Sequence, residues 1–279
     1  MNGHFVKMQG AGNDFILIDN RRGIWPLDAL HLRRWCDRRL GVGADQLLVL
    51  EETRRPDADF RYRIFNADGG EVEQCGNGAR CMTRWVLERI FPGECVRFET
   101  MRAVIRGSIG KDGLVSVEMG MPILEADDLP FRTDGLSYCG GAWRGFGLSG
   151  TDELCVLAVG NPHAVRFGPM PEDEVFRRTG ERLQDHPAFP KGINFECVCP
   201  RSDSEADFRV WERGVGETPA CGSGACAAAV AGMLTGRFGR TVTFHTRGGI
   251  LRVRRPDPDG PVFLEGPAEY VFEGDLPLD

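Results

Sequence analysis

Lysine is scarce in this sequence, because Lys7, Lys111 and Lys191 are the only lysines among 34 basic residues. Enzymes that use pyridoxal phosphate hold that cofactor on a lysine, and none of these three lies in the cysteine loops described below. The sequence therefore gives little support for this cofactor. A positive net charge is missing too. The net charge of −7 argues against a nucleic-acid partner, since nucleic-acid binders neutralise phosphates with clustered Lys and Arg.

Long apolar runs are also absent. No stretch approaches the roughly 18 to 20 apolar residues of a membrane span, and residues 1–7 lack the apolar core of a signal peptide. We therefore expect a cytoplasmic protein with no membrane partner, whose 10 cysteines are thiols and not a disulfide scaffold. Paired cysteine spacings typical of zinc sites are missing as well, and Cys221, Cys226 and His163 match them poorly, so we predict no metal site.

The sequence contains an internal repeat centred on two cysteines. Cys75-Gly76-Asn77-Gly78-Ala79 recurs 146 residues later as Cys221-Gly222-Ser223-Gly224-Ala225. At the same offset, residues 62–66 align with residues 208–212, and Gly70-Glu71 aligns with Gly216-Glu217. Each copy therefore has an alternating strand, a glycine-bearing turn and a cysteine loop, in that order. Four identities within five positions make chance the poorer explanation.

Length and composition agree with two domains. A chain of 279 residues is long for one core and natural for two domains of about 140 residues. Hydrophobic and charged contents of 42% and 27% are ordinary for a soluble globular protein. Gly120-Met121-Pro122 is the natural boundary, and the last segment, residues 268–272, could return to the first half.

Strands are predicted to outnumber helices. An amphipathic helix capped by Asp28 runs through Leu40 and stops at Gly41. Further helices are predicted after Cys75 as far as Ile90, over 172–184, and over 225–234, where alanine-rich residues without a polar face indicate a buried helix. The predicted strands cover 5–8, 15–18, 46–50, 60–65, two or three segments within 97–119 with a hairpin turn at 111–113, 155–159, 241–245, 250–254 and 262–264. We expect two similar, mostly antiparallel α+β domains with the cysteine loops facing each other across a cleft.

Two such loops suit proton transfer at a carbon atom. A cysteine at a helix start lies at the positive end of the helix dipole, which can lower a thiol pKa from about 8.5 to roughly 3.5–7.5. Helix starts also bind carboxylates through their free backbone N–H groups. One thiolate could remove an α-proton, and the opposite thiol could return a proton to the other face. The resulting enediolate would be held by the N–H groups of Gly76, Asn77, Gly222 and Ser223.

The motifs resemble those of the diaminopimelate epimerase family almost from end to end. The matching segments are Gly10-Ala11-Gly12-Asn13-Asp14-Phe15, Gly41-Val42-Gly43-Ala44-Asp45-Gln46, Phe65-Asn66-Ala67-Asp68-Gly69, the first cysteine loop, Gly160-Asn161-Pro162-His163, Glu212-Arg213-Gly214, and Glu217-Thr218-Pro219-Ala220 with the second cysteine loop and Cys226. The two cysteine-loop motifs are specific to the family. The motifs that contain Asn13, Asn66 and Asn161 are specific to it only in combination. Small departures at residues 8, 9, 11 and 219 spare every matched site residue.

The resemblance implies an isomerase that epimerises LL-diaminopimelate to meso-diaminopimelate without a cofactor, in bacterial lysine and peptidoglycan precursor biosynthesis. It implies Cys75 and Cys221 as the acid-base pair, with Gly76, Asn77, Gly222 and Ser223 binding the carboxylate at the reacting centre. The pocket residues that would hold the distal end of the substrate are Asn13, Gln46, Asn66, Asn161, Asn194, Glu212 and Arg213. His163 and Glu212 are expected near the thiols.

The family fold has two pseudosymmetric domains, each a mostly antiparallel sheet wrapped around a central helix, with the active site in the cleft between them. On this basis the N-terminal domain comprises residues 1–121 plus 267–279, and the C-terminal domain comprises residues 122–266. The resemblance also implies a homodimer.

Several alternatives stay open. The enzyme could be a related cysteine-pair racemase of proline or hydroxyproline, or the two cysteines could serve a thiol-disulfide redox protein. Cys75 and Cys221 could also be buried structural thiols, and if they do face each other, oxidation could join them. The asparagines could be turn formers, and Glu212-Arg213 could form a surface ion pair of little energetic value.

For the remaining cysteines and nearby acids we prefer structural roles. Asp68 and Glu71 are interpreted as turn or capping groups. The cysteines interpreted as structural are Cys36, Cys81, Cys95, Cys139, Cys155 and Cys226, and Cys197 and Cys199 are predicted to lie in the core.

Overall fold

The computed structural model describes residues 2–73, 75–124, 137–139, 142–146 and 153–278. The side chain of Cys139 lies outside the described residues. Contacts divide the chain into two compact units, the first formed by Met1–Glu118 with Glu265–Asp279 and the second by Met119–Leu264. The predicted domain limits, after residues 121 and 266, fall near these bounds, and the division into two domains stays a prediction. Within the described ranges, no helix combines the length and apolar character that crossing a membrane requires.

The first unit is a mostly antiparallel sheet with two helices. Its elements are β1 (Asn2–Gly10), β2 (Asn13–Asp19), α1 (Ala29–Cys36), β3 (Gln46–Glu51), β4 (Phe60–Asn66), β5 (Glu71–Val72), α2 (Gly76–Arg89), β6 (Cys95–Glu99), β7 (Val104–Ile109), β8 (Val115–Glu118) and, from the end of the chain, β19 (Glu269–Pro277). Strand β1 pairs with β19 and β2, β3 pairs with β4, and β6, β7 and β8 follow one another, all antiparallel. The pairs β2–β3 and β4–β6 are parallel.

The second unit repeats this order. Its elements are β9 (Ser137–Cys139), β10 (Ala142–Phe146), β11 (Glu153–Val159), β12 (Asn161–Phe167), α3 (Asp173–Gln184), β13 (Asn194–Pro200), β14 (Glu205–Glu212), β15 (Gly216–Thr218), α4 (Gly222–Leu234), β16 (Thr241–Thr246), β17 (Gly249–Arg254) and β18 (Phe263–Gly266), which runs across the limit between the units. Its parallel pairs, β12–β13 and β14–β16, occupy the same places in the order as those of the first unit. The repeat in sequence is therefore a repeat in topology.

The two-domain α+β fold expected from the sequence is confirmed, with one addition. Parallel pairing was not predicted, although it follows from the helices: a parallel strand pair needs a crossover connection, and α1 and α3 supply it between β2 and β3 and between β12 and β13. The predicted hairpin at residues 111–113 is confirmed between β7 and β8, where the Gly110 N–H donates to the Leu114 carbonyl at 2.8 Å.

Each unit is built around the helix that follows its cysteine. Helix α4 contacts strands β11, β12, β13, β16 and β17, and its alanines from Ala225 to Ala231 are fully buried. Small side chains allow strands to approach the helix on all sides, which is why a helix without a polar face is stable here. The predicted buried helix is confirmed, and it begins three residues earlier than expected, at Gly222.

The outer helices pack on the opposite sheet faces. Leu32, Trp35 and Cys36 of α1 join a cluster with Ile16 and Leu47. Asp28 caps α1 as predicted, but the predicted extension to Leu40 is wrong, because α1 ends at Cys36. Beyond that residue the chain turns back on the last helical turn: the Val42 and Gly43 N–H groups both donate to the Trp35 carbonyl at 3.0 Å. Leu40 is left exposed.

Candidate active site

Cys75 is the N-cap residue of α2. Its backbone is extended, and its sulfur accepts a hydrogen bond from the Gly78 N–H at 3.4 Å. Glycine is required at position 78, because an added Cβ would lie 2.6 Å from the Tyr62 hydroxyl. The thiol is half-buried. The predicted helix start is thus present, and the next N–H groups, at Gly76 and Asn77, belong to the first turn, which a helix leaves without intrahelical partners.

The side chain of Asn13 lies beside this thiol. A tight turn through Ala11 and Gly12, both with positive φ, brings the chain into β2 at Asn13. The Asn13 amide Nδ2 donates to Asp45 Oδ2 at 2.7 Å, and the Cys75 thiol donates to Asn13 Oδ1 at 3.7 Å. Asp45 therefore fixes which end of the Asn13 amide meets the sulfur.

Gln46 and Asn66 occupy the same edge of the sheet as Asn13. They are register partners in β3 and β4, and Gln46 Nε2 donates to Asn66 Oδ1 at 2.9 Å. Among the described residues, no hydrogen bond reaches the buried oxygens Gln46 Oε1 and Asn77 Oδ1. Buried polar atoms normally have partners, so these two oxygens are acceptors available to a ligand.

A charged network supports this edge. Lys7 is buried, and its ammonium donates to Asp14 Oδ2 at 2.7 Å. Arg38 donates to both Asp14 and Asp45. Burial by itself would raise the pKa of Asp14, but hydrogen bonds from Arg38 and Lys7 outweigh it and hold that pKa well below its usual range. The network thus keeps Asp14 ionised and fixes Asp45 next to Asn13.

Cys221 is the N-cap residue of α4 in the second unit. Its sulfur lies 3.5 Å from the Ser223 hydroxyl oxygen, and the residue is buried, with 6% exposed. Burial, and then the nearby carboxyl of Glu212, raise the pKa of the Cys221 thiol well above its ordinary value. For Cys221, burial outweighs the hydrogen bonds from the Ser223 hydroxyl and the Gly224 backbone, which would lower this pKa. Cys221 is a thiol in this state.

Glu212 lies at the end of β14, where β15 turns back to pair with it. Its carboxyl accepts a hydrogen bond from the Thr218 hydroxyl at 2.5 Å. Burial raises the pKa of Glu212, and hydrogen bonds from Thr218 and Cys221 counteract part of that rise. A carboxyl and a thiol that share a dry environment disfavour two simultaneous negative charges.

Four further polar side chains share one face of the β12–β13 pair. His163 Nε2 lies 2.8 Å from Asn161 Oδ1, and His163 Nδ1 lies 2.6 Å from Glu196 Oε1. His163 and Glu196 have no exposed surface. Asn194 is equally enclosed: its Nδ2 donates to the Pro162 carbonyl at 3.1 Å, and its Oδ1 accepts from the Arg213 N–H at 2.9 Å. Asn194 therefore holds the backbone of Arg213 in place.

The described structure thus groups the predicted site residues into two sets. The first unit gathers Cys75, Gly76, Asn77, Asn13, Gln46 and Asn66, and the second gathers Cys221, Gly222, Ser223, Asn161, His163, Asn194, Glu212 and Arg213. Sequence reasoning missed Asp45, Thr218 and Glu196. A signal existed for each: Asp45 and Thr218 lie inside quoted motifs, and Glu196 interrupts an otherwise apolar strand.

The structural roles assigned to other residues are largely confirmed. Asp68 accepts from the Gly70 N–H at 2.8 Å, as a turn former does, whereas Glu71 pairs with Arg63. Cys36, Cys81, Cys155, Cys197 and Cys226 are buried. Cys199 is half-buried and not in the core as predicted, and Cys95 is half-buried too, because both lie near strand ends.

Solved structures with this fold define a class of proteins. A hydroxyproline epimerase from Agrobacterium vitis matches with a TM-score of 0.66 and 13% identity over 99% of this chain and 91% of that one. A methylitaconate-delta-isomerase also gives a TM-score of 0.66, at 13% identity over 99% and 95% of the two chains. A PhzF-family phenazine biosynthesis protein from Bacillus anthracis gives 0.64, at 15% identity over 99% of each chain. The chain therefore has the fold that a hydroxyproline epimerase, a methylitaconate-delta-isomerase and a PhzF-family protein share.

Sequence relatives narrow the class to one family. Residues 5–125 and 155–271 match the family model of diaminopimelate epimerase. Diaminopimelate epimerase from Azotobacter vinelandii is 44% identical over 278 residues, which cover 98% of this chain and 99% of that protein. The corresponding protein from Aromatoleum aromaticum is 43% identical over 281 residues and all of both chains. The chain belongs to the diaminopimelate epimerase family and is an isomerase, which confirms the resemblance seen in its motifs.

Proposed function

We propose that this protein interconverts LL-diaminopimelate and meso-diaminopimelate, with Cys75 and Cys221 as the two acid-base groups. One observation carries the proposal: each unit of the repeat places a cysteine at the N-cap of its central helix. A pair of equivalent thiols suits a reaction in which a proton leaves one face of a carbon atom and another arrives on the opposite face.

The proton balance assigns a role to each thiol. In the LL-to-meso direction, a thiolate at Cys75 takes the α-proton, and the electron pair left on carbon delocalises into the carboxylate as an enediolate. Cys221 then gives its proton to the opposite face and becomes the thiolate, and the reverse reaction restores the first state. The buried environment that keeps Cys221 protonated supports its role as the proton donor. The half-buried Cys75 acts as the base once the thiol that donates to Asn13 Oδ1 has lost its proton, and the Gly78 N–H then still donates to its sulfur.

Backbone N–H groups stabilise the charge that forms. Gly76 and Asn77 begin α2, and Gly222 and Ser223 begin α4, so their N–H groups are donors at the positive ends of two helices. Donors arranged in advance around a developing oxyanion supply a large part of the rate enhancement in such reactions. No separate electron sink is needed, so we propose a reaction without pyridoxal phosphate.

The polar side chains suit a substrate with a second amino-acid head. The acceptor Gln46 Oε1 and the carboxyl of Glu212 fit an ammonium group, and the guanidinium of Arg213 fits a carboxylate. Asn13, Asn66, Asn161 and Asn194 complete this set. A proline-type substrate lacks such a head, so these residues favour diaminopimelate over proline or hydroxyproline.

The cellular setting is part of the proposal. Thiols that must stay reduced fit the cytoplasm, and the product is a precursor of lysine and of peptidoglycan. We also propose a homodimer, as the family resemblance implies.

Exchange with solvent tests the reaction. Incubation of the reduced protein with LL-diaminopimelate in heavy water should place deuterium at an α-carbon while meso-diaminopimelate forms, as followed by NMR and chiral chromatography. Formation of the meso isomer without deuterium, or no conversion under reducing conditions, would contradict the proposal. Proline and hydroxyproline serve as comparison substrates and should not exchange.

Removal of either thiol tests the mechanism. Cys75→Ala and Cys221→Ala should each lower kcat by at least roughly 10²–10⁴-fold, the usual contribution of a general acid or base, with unchanged circular dichroism. Cys199→Ala is the matched control, because it removes a half-buried thiol outside the set, and it should keep normal turnover. Near-normal activity of either active-site variant would disprove the two-thiol assignment.

A further inference from the structure

Glu196 is a fully buried carboxyl for which the reaction above has no role. It lies in β13 on the same face as Asn194, and it packs against the start of α4 so closely that a Cβ on Gly224 would be 2.7 Å from its Oε1. Its Oε1 lies 2.6 Å from His163 Nδ1. A buried carboxyl costs free energy unless it is paired or protonated, so its retention beneath the Cys221 helix calls for a function.

The two ring nitrogens of His163 take their donor or acceptor roles from the tautomer, so the number of protons on this pair is inferred from the orientation of the Asn161 amide. Asn161 Oδ1 can only accept, so His163 Nε2, at 2.8 Å from it, carries a proton. The contact between His163 Nδ1 and Glu196 Oε1 then needs a second proton, which resides either on the ring or on the carboxyl. In both cases the pair is neutral overall. Its surroundings favour this state, because Glu212 and Cys221, the other acidic groups that face Glu196, oppose a further negative charge.

The proton count decides the direction of the Asn161 amide. With the proton retained, the amide turns its oxygen to His163 and its NH₂ group away from the ring. If the pair lost the second proton, the Glu196 carboxylate would hold the remaining ring proton on His163 Nδ1. His163 Nε2 would then be a hydrogen-bond acceptor. The amide would then rotate by half a turn and present its oxygen instead.

We propose that Glu196 is a positioning residue that, by keeping the proton on His163 Nε2, makes Asn161 present its NH₂ group as a donor to a carboxylate of the substrate. The inference rests on the proposed function, which places Asn161 against the substrate. Glu196 itself touches no reacting atom, so its effect falls on binding more than on proton transfer.

The test compares Glu196→Leu with a matched control. Without Glu196, neither ring tautomer is favoured and the Asn161 amide is no longer fixed, so KM for LL-diaminopimelate should rise about tenfold, the effect of one hydrogen bond, with a much smaller change in kcat. Glu205→Leu removes the carboxyl that bonds to His245 in the same unit and should leave both constants unchanged.

A double variant distinguishes a positioning role of Glu196 from a general structural role, because positioning acts through Asn161. In the Asn161→Ala background, Glu196→Leu should change KM less than twofold. If its effect there were as large as in the wild-type protein, the proposal would be wrong. Should Glu196→Leu fail to fold, Glu196→Gln keeps the volume and removes the carboxyl, and its increase in KM must likewise disappear in the Asn161→Ala background.

A measurement without substrate completes the test. In ¹⁵N NMR of the imidazole rings, the His163 signals, identified by their loss in His163→Gln, should show a protonated Nε2 at neutral pH. In Glu196→Leu they should show a mixture of tautomers. An unprotonated Nε2 in the wild-type protein would overturn the proposal, whereas failure of epimerisation alone would overturn the proposed function and leave this result standing.

Discussion

The two cysteines have unequal surroundings although their loops are alike in sequence. Cys221 is buried beside the carboxyl of Glu212 and is held as a thiol, whereas Cys75 is half-buried and its sulfur accepts the N–H of Gly78. The repeat predicts equivalent helix starts and does so correctly. It could not predict the difference, because desolvation depends on side chains from distant strands that pack around each sulfur.

At the residue scale, Asp45 should affect the reactivity of the Cys75 thiol, because it fixes the orientation of the Asn13 amide beside the sulfur. Asp45→Ala frees the Asn13 amide, so we expect kcat/KM to fall by roughly tenfold, as for the loss of one hydrogen bond. Asp59→Ala is the matched control. Asp45 accepts hydrogen bonds from the Asp14 N–H and from the Arg38 guanidinium, and Asp59 likewise accepts from the N–H and the guanidinium of Arg97. Asp59→Ala should leave kcat/KM unchanged. Equal activity of the two variants in steady-state assays would refute the link to Cys75.

At the scale of elements, glycines set how closely helices approach strands. Gly78 and Gly224 hold equivalent positions in the repeat, and each faces a polar side chain, Tyr62 in the first unit and Glu196 in the second, with no room for a Cβ. The sequence shows the recurrence of glycine and indicates a close approach there. It does not name the facing residue, since that residue comes from a strand remote in sequence.

Gly180, in the middle of α3, illustrates the same rule away from the site. A Cβ at this position would overlap the ring of Trp211 on β14, so Gly180→Ala should lower the free energy of unfolding by about 1–3 kcal/mol through overpacking. Gly239→Ala, where the nearest atom is a carbonyl oxygen at 3.8 Å, should stay within about 0.5 kcal/mol of wild type. Urea unfolding of both variants checks this, and equal stabilities would show that α3 can shift without cost.

At the scale of the whole molecule, the internal repeat predicted the two units and the place of a helix after each cysteine, whereas alternating patterns predicted most strands. Amphipathic spacing predicted α1, and α3 was predicted because it repeats the position of α1 in the second half. Parallel pairing of β2 with β3 was not predicted, because strand order depends on the path of the connecting helix and not on local pattern. The end of α1 was misplaced for a similar reason: the chain from Gly41 to Gly43 satisfies the last helical carbonyls by a turn that the apolar pattern does not reveal.

If the two thiols face one carbon atom, they can also be oxidised to a disulfide. Treatment with a mild thiol oxidant such as diamide, which takes up the two hydrogens, should abolish epimerisation, and dithiothreitol should restore it. Intact-protein and peptide mass spectrometry should find Cys75 linked to Cys221, and the Cys199→Ala variant should behave as the wild type does. Inactive oxidised protein with both thiols free would contradict the prediction.

The position of both sulfurs around a bound substrate decides whether two thiols share one reaction. In an experimentally determined complex with diaminopimelate itself, at the equilibrium of its isomers, the distance from each Sγ to the α-carbon can be measured. We predict that the sulfurs of Cys75 and Cys221 lie on opposite faces of that carbon, each within about 3.5 Å, the range expected for reacting atoms. Two sulfurs on the same face, or either one beyond reach of the carbon, would contradict the two-thiol mechanism.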